Sequence, residues 1–146
     1  MLPMTTPVML HARGSFRTEV EAGPHRWVLD EPADAGGTGE GPTPYDMLAS
    51  ALGGCTAMTL NFYAKRENIP LEGVDVKVTH DRQHAKDCAD CTTQSGYIHR
   101  FHVEINLHGP LTEEQRQKLL SIAARCPVKK TLSSEIKVDD VLLDGG

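Results

Sequence analysis

Aromatic side chains are scarce in this sequence, at 5% of residues with a single tryptophan. Any core must therefore rest on aliphatic packing, since large rings supply little of its buried area. Positive charge is also short: 15 lysines and arginines face 20 aspartates and glutamates, for a formal charge of −5. Nucleic acid is not an expected partner, because phosphate binding draws on clustered Lys and Arg. The two signs are interspersed, so no steering patch forms. No apolar run approaches the roughly 20 residues of a membrane span, and no membrane partner is expected. The segment Met1-Leu2-Pro3-Met4-Thr5-Thr6-Pro7 lacks the basic region and apolar stretch of a secretory signal. A cytoplasmic location is therefore expected. Internal repeats and low-complexity tails are absent. What is present, 146 residues with 39% apolar content, suits one domain over residues 1–146 with a real core.

Strand signals come first, at residues 15–20 and 25–29 around the turn Ala22-Gly23-Pro24. A Gly- and Pro-rich segment, 31–42, lacks the spacing and flanking elements of a phosphate-binding loop and reads as a connector. A helix then starts at Thr43-Pro44-Tyr45-Asp46, where Thr43 can cap and Asp46 can close a capping box. Leu48, Ala51, Leu52, Cys55, Met58, Thr59 and Phe62 recur at helical spacing to about Arg66. Gly53 and Gly54 in its middle cost about 1 kcal/mol each relative to alanine. They point either to close packing against another helix or to space cleared beside Cys55.

Val74, Val76 and Val78 mark a strand with one buried face, and Phe101, Val103, Ile105 and Leu107 mark another. A polar stretch, 79–96, separates them. A second helix opens on the capping box Thr112 to Gln115, with Leu119, Leu120, Ile122 and Ala123 as its apolar positions. Helical signals resume at Pro127, and residues 136–143 read as a last strand. The order is strands, helix, strands, helices, strand, which is an α+β pattern.

The chemistry lies in the four cysteines. In a reducing compartment these are catalytic or metal-binding before they are structural. Cys126 precedes Pro127, so it falls at a helix cap, near unpaired N–H groups and the positive end of the dipole. Arg125, Lys129 and Lys130 add positive potential, and each effect favours thiolate. Cys55 lies on an apolar stripe, which raises a thiol's pKa, so it needs a nearby cation to react. Arg17 and Arg13 are the candidates. His80, His84, Cys88 and Cys91 form a second series. Its spacing admits a zinc site, a redox pair at Cys88 and Cys91, or a solvated loop. His99, His102 and His108 read as solvent-facing.

The run Gly41-Pro42-Thr43-Pro44-Tyr45-Asp46-Met47-Leu48-Ala49-Ser50-Ala51-Leu52-Gly53-Gly54-Cys55-Thr56-Ala57-Met58-Thr59-Leu60, with the later Arg125-Cys126-Pro127-Val128-Lys129-Lys130-Thr131-Leu132, resembles the OsmC/Ohr family. These are the osmotically inducible and organic hydroperoxide resistance proteins. Phe16-Arg17-Thr18-Glu19-Val20 and the polar insert look most like the broad OsmC-like branch. The resemblance implies antiparallel sheets wrapped around long central helices in an intertwined homodimer. It implies a cysteine-based peroxidase without cofactor. Cys55 would attack an organic hydroperoxide and become a sulfenic acid, and Cys126 would resolve it as a disulfide. A lipoyl-type or thioredoxin-like dithiol would then restore the pair. Arg17 and Asp46 would be the activators, with Tyr45 standing where the peroxidases carry glutamate. The rival expectation is a binding or sensing protein on the same fold, with a metal at the insert from His80 to Cys91.

Overall fold

The computed structural model describes residues 7–145. Two compact units divide the chain after Ser50. The first unit holds a three-stranded antiparallel meander of β1 (Val8–Ala12), β2 (Thr18–Ala22) and β3 (His25–Leu29). Val20 sits opposite Leu10 on one side and Trp27 on the other, and is buried. The strand expected at 15–20 is thus shifted towards the turn. Phe16 accepts the Thr18 hydroxyl at 3.0 Å and belongs to the bend that brings β1 back alongside β2.

The connector at 31–42 is more ordered than its composition suggests. It folds around the side chain of Asp30, which is only 2% exposed. That carboxylate accepts the Glu31 N–H at 2.8 Å, the Thr38 hydroxyl at 2.7 Å, the Thr38 N–H at 3.3 Å and the Glu40 N–H at 3.2 Å. Gly37 and Gly41 are required by close approach, since a Cβ would run into the carbonyls of Glu31 and Val28. The Thr38 hydroxyl foremost, then the backbone N–H groups, hold the Asp30 pKa below its ordinary value against the opposing effect of burial.

Helix α1 (Pro44–Arg66) has the ends expected of it. The Asp46 N–H donates to Thr43 Oγ1 at 3.1 Å, and the Thr43 N–H donates to Asp46 Oδ2 at 3.0 Å. Its inward face differs from the expected stripe. Leu52, Gly53, Thr56, Leu60 and Ala64 are buried, whereas Met58 is 73% and Phe62 70% exposed. The helix is apolar on more than one side, so periodicity alone picks the wrong seam.

In the second unit, β4 (Gly73–His84) and β5 (Tyr97–His108) form a long antiparallel hairpin. The polar start of the insert, Thr79 to His84, therefore continues the strand, because ladder pairing overrides a polar sequence. Helix α2 (Glu113–Ala123) opens on the reciprocal Thr112 and Gln115 cap. Helix α3 (Pro127–Leu132) follows Cys126. The core joins Leu60 and Ala64 of α1 to Leu119, Ile122 and Ala123 of α2, with Val74, Ile105 and Leu107 of the hairpin packed against them. Leu120, expected inside, is exposed. Gly53 packs on a strand and not on a helix: a Cβ there would lie 3.0 Å from Val78 Cγ2 and 3.4 Å from Val76 Cγ1. The strand expected at 136–143 does not form. Its Val138, Val141, Leu142 and Leu143 are exposed, and the segment pairs with no strand among the described residues.

Candidate functional site

Cys55 and Cys126 come together in the second unit. α1 carries Cys55, half-buried, one residue before the inward-facing Thr56. The tight turn between α2 and α3 delivers Cys126, which is 0% exposed. Pro127 starts α3 without an N–H to satisfy. Cys126 is its cap residue and accepts the Lys129 N–H at 3.4 Å. Its sulfur also lies 4.0 Å from the Leu52 carbonyl oxygen.

The two thiols are electrostatically unequal. Burial pushes the Cys55 thiol up, and its neighbour Cys126 pushes it further, while the Val128 N–H and the Thr59 side chain oppose. Burial also works against the Cys126 thiolate, but its partners win and its pKa falls. They are the Cys55 thiol, the Lys129 N–H, the Thr56 hydroxyl and the Val128 N–H. The two thiols therefore titrate as a pair, with negative charge favoured at Cys126 over Cys55. The cap position found in the sequence carries this result. Thr59 was named there only as a position on the helical stripe, and neither Thr56 nor the Val128 N–H was given a role. Thr56 was legible only through its place four residues before Leu60 on the helix seam.

The other expected site residues lie in the first unit, each with its own partners. Arg17 bridges Glu19 at 3.1 Å and Glu40 at 3.4 Å. The hydrogen bond to Glu19 foremost raises its pKa, so its guanidinium stays charged. Asp46 closes the capping box with Thr43, and Tyr45 is exposed.

The four-membered histidine and cysteine series does not converge as a zinc site. A ring nitrogen of His80 lies 2.9 Å from one of His99, and His84 stacks on Tyr97. Strand pairing sets those partners, so the imidazoles are held on the ladder. Cys88 and Cys91 are joined by a disulfide with Cα atoms 5.6 Å apart. Among the described residues, the group with metal-ligand spacing is Cys88, Asp90 and Cys91, without either histidine. His99, His102 and His108 are exposed, as expected, and His108 lies 2.6 Å from Asp75 at the surface.

Beside the thiol pair runs an open groove of about 810 Å³. Leu52, Thr56, Phe101 and Leu132 line it, together with Lys129 and Cys91. No helix among the described residues is long and apolar enough to cross a membrane.

The fold recurs in solved structures. One is a putative osmotic stress induced and detoxification response protein from Psychrobacter arcticus. It is 25% identical over 90% of each chain, with a TM-score of 0.67. An OsmC-like hydroperoxide resistance protein from a Jannaschia species is 26% identical, covering 93% of this chain and 90% of that one, with a TM-score of 0.52. The OsmC-like protein from Mycoplasma pneumoniae shares the fold at 21% identity and a TM-score of 0.68, covering 90% of this chain and 89% of its own. No curated protein matches the chain. The family model described as OsmC-like protein matches residues 37–139, from the connector through both cysteine motifs to the segment after α3, and the chain belongs to that family.

Proposed function

We propose that this chain is a cytoplasmic thiol peroxidase that reduces organic hydroperoxides, working as a homodimer. The observation that carries the reading is the contact between a half-buried Cys55 thiol and a fully buried, cap-stabilised Cys126 sulfur. Only Cys55 has surface through which a peroxide can arrive, so Cys55 is the attacking sulfur. The lowered pKa of Cys126 gives it a second role before resolution. As thiolate it takes the Cys55 proton, and the Cys55 thiolate then attacks the outer peroxide oxygen. The O–O bond breaks, Cys55 becomes a sulfenic acid, and the departing alkoxide takes the proton back from Cys126 to leave as alcohol. The Cys126 thiolate next attacks the sulfenic sulfur, expels hydroxide and forms the Cys55–Cys126 disulfide. A lipoyl-type or thioredoxin-like dithiol restores the pair by exchange. Arg17 and Asp46 are assigned as activators on the strength of their motif positions. Dimerisation is supported by Met58 and Phe62, large apolar side chains that α1 leaves in the open. Reduced thiols in this role suit the cytosol.

Stopped-flow reduction of cumene hydroperoxide tests this reading. Wild type should consume one equivalent rapidly and continue with dihydrolipoamide. Cys55→Ser should consume none. Cys126→Ser should yield a sulfenic acid trapped by dimedone but form no internal disulfide. Unchanged consumption in Cys55→Ser would reject the proposal.

A further inference from the structure

The peroxidase reading leaves Cys88 and Cys91 unused. They sit in the arch between β4 and β5, spaced C-x2-C and joined by a disulfide. Three features give this pair more than a structural place. First, Cys91 lines the same groove as three residues that touch the buried sulfur. Leu52 reaches Cys126 Sγ through its carbonyl at 4.0 Å, Lys129 through its N–H at 3.4 Å, and Thr56 through its hydroxyl. One layer of side chain and backbone thus separates the groove from Cys126. Second, Cys88 Sγ lies 3.8 Å from Arg100 Nη2 and 3.2 Å from Asp90 Oδ1, so the guanidinium offsets the carboxylate that would otherwise oppose a thiolate released there. The same guanidinium lies 3.1 Å from Asp90 Oδ1. Third, the arch is tied at its base by the Ala85 N–H on the Gly96 carbonyl at 2.9 Å, and residues 88–96 take no part in the ladder. They can move across the groove without breaking strand pairing.

We infer that Cys88 and Cys91 form a second redox site, an internal dithiol relay that reduces the Cys55–Cys126 disulfide. The Cys91 thiolate attacks Cys126 Sγ, forming a Cys91–Cys126 bond and releasing Cys55 as thiolate, which takes a proton. The Cys88 thiolate then attacks Cys91 Sγ, releases the Cys126 thiolate and closes the Cys88–Cys91 disulfide. Two electrons pass inward as the disulfide passes outward. An external dithiol of low potential reduces the outer pair and completes the cycle. The exposed rim, not the buried pair, is then where reductant is recognised. A metal at Cys88, Asp90 and Cys91 is the competing use of the same atoms. The sulfur–sulfur bond and the guanidinium beside it favour exchange.

The cycle rests on the peroxidase reading for its oxidant, but the exchange does not, so the test uses diamide. Reduced Cys55→Ser/Cys88→Ser protein, treated with diamide, is mapped by peptide mass spectrometry and run on a non-reducing gel. A Cys91–Cys126 bond within one chain is expected, with Cys55→Ser/Cys91→Ser giving the Cys88–Cys126 bond at least about tenfold more slowly. Absence of the Cys91–Cys126 bond, or no preference between the two variants, overturns the relay. Wild-type protein supplies the measurement that no folding defect can spoil. After one equivalent of diamide and timed quenching with N-ethylmaleimide, the Cys55–Cys126 disulfide should decline as Cys88–Cys91 grows. A static distribution overturns the proposal, as does one zinc ion per chain held by the reduced protein and lost in Cys88→Ser/Cys91→Ser. Turnover with dihydrolipoamide should fall in Cys88→Ser/Cys91→Ser, while the first peroxide equivalent is consumed at the wild-type rate. Failure of wild type to consume that first equivalent, with diamide exchange intact, sinks the peroxidase reading alone.

Discussion

Cys55 on the helix seam neighbours Cys126 at the helix cap, so each thiol's ionisation depends on the other's. Burial raises both groups, and Cys126 escapes because it has more donors. Thiolate absorbance at 240 nm should therefore show one thiol of the pair ionising below the ordinary cysteine range and the other above it. Cys126→Ser should remove the low step and bring the Cys55 step down, since one of the influences raising it is gone. Cys55→Ala should move the Cys126 step up. Two independent steps at the ordinary value would show that the thiols do not interact.

Thr56 has a single hydroxyl proton, given to the Leu52 carbonyl at 2.9 Å or, when it turns, to the Cys126 sulfur whose pKa it lowers. Thr56→Val keeps the shape and removes the hydroxyl. The low thiol step should rise, by an amount worth about 1 kcal/mol for one lost hydrogen bond. The peroxide-consumption profile should move to higher pH with it. An unmoved profile would assign the low pKa to the α3 backbone alone.

Much of this site was legible in the sequence because local rules govern it. Cys126 before Pro127, Thr43 with Asp46, and Thr112 with Gln115 are cap signatures set within a few residues, and all three formed. What escaped depended on distant partners. The inward seam of α1 is chosen by which side meets β4 and α2, and a helix apolar on several sides does not announce it. The Asp30 knot needs Thr38 and Glu40 to fold back on it, which composition cannot show. His80 pairs with His99 because the hairpin register brings them together, not through any spacing along the chain.

Gly53 and Gly54 should respond oppositely to alanine. Gly54 faces open space, so Gly54→Ala gains helix propensity and should stabilise by up to about 1 kcal/mol. At Gly53 the added methyl would stand 3.0 Å from Val78 Cγ2 and 3.4 Å from Val76 Cγ1, against stiff β-branched side chains. Overpacking of that kind costs about 1–3 kcal/mol, which exceeds the propensity gain. Urea unfolding of the two variants checks both signs. Equal stabilisation would mean that β4 yields easily.

Asp30 should give the fold an acid-sensitive element. Its folded pKa lies below the unfolded value, with the Thr38 hydroxyl the main cause. The carboxylate's contribution is thus complete above the unfolded pKa and fades as pH falls through the folded one. Thermal midpoints of wild type should drop on acidification through and below the ordinary aspartate range. Asp30→Asn should start lower at neutral pH and show a shallower acid limb. Parallel limbs would place the acid sensitivity in other groups.

Met58 and Phe62 lie one turn apart on α1, 73% and 70% exposed. Leaving two such side chains in water forgoes about 1.5–3 kcal/mol each relative to burial. A second copy of this chain is the occupant that the proposed dimer supplies. Met58→Glu/Phe62→Glu would place two charges in that contact, whereas Lys118→Glu, at an exposed charged position on α2, serves as the control. Light scattering at micromolar concentration should report a dimer for wild type and Lys118→Glu, and a monomer for the double variant. Secondary structure should be kept, because neither side chain belongs to the Leu60, Leu119 and Ile122 core. A double variant that keeps the wild-type mass would show that this face of α1 is not where two copies meet.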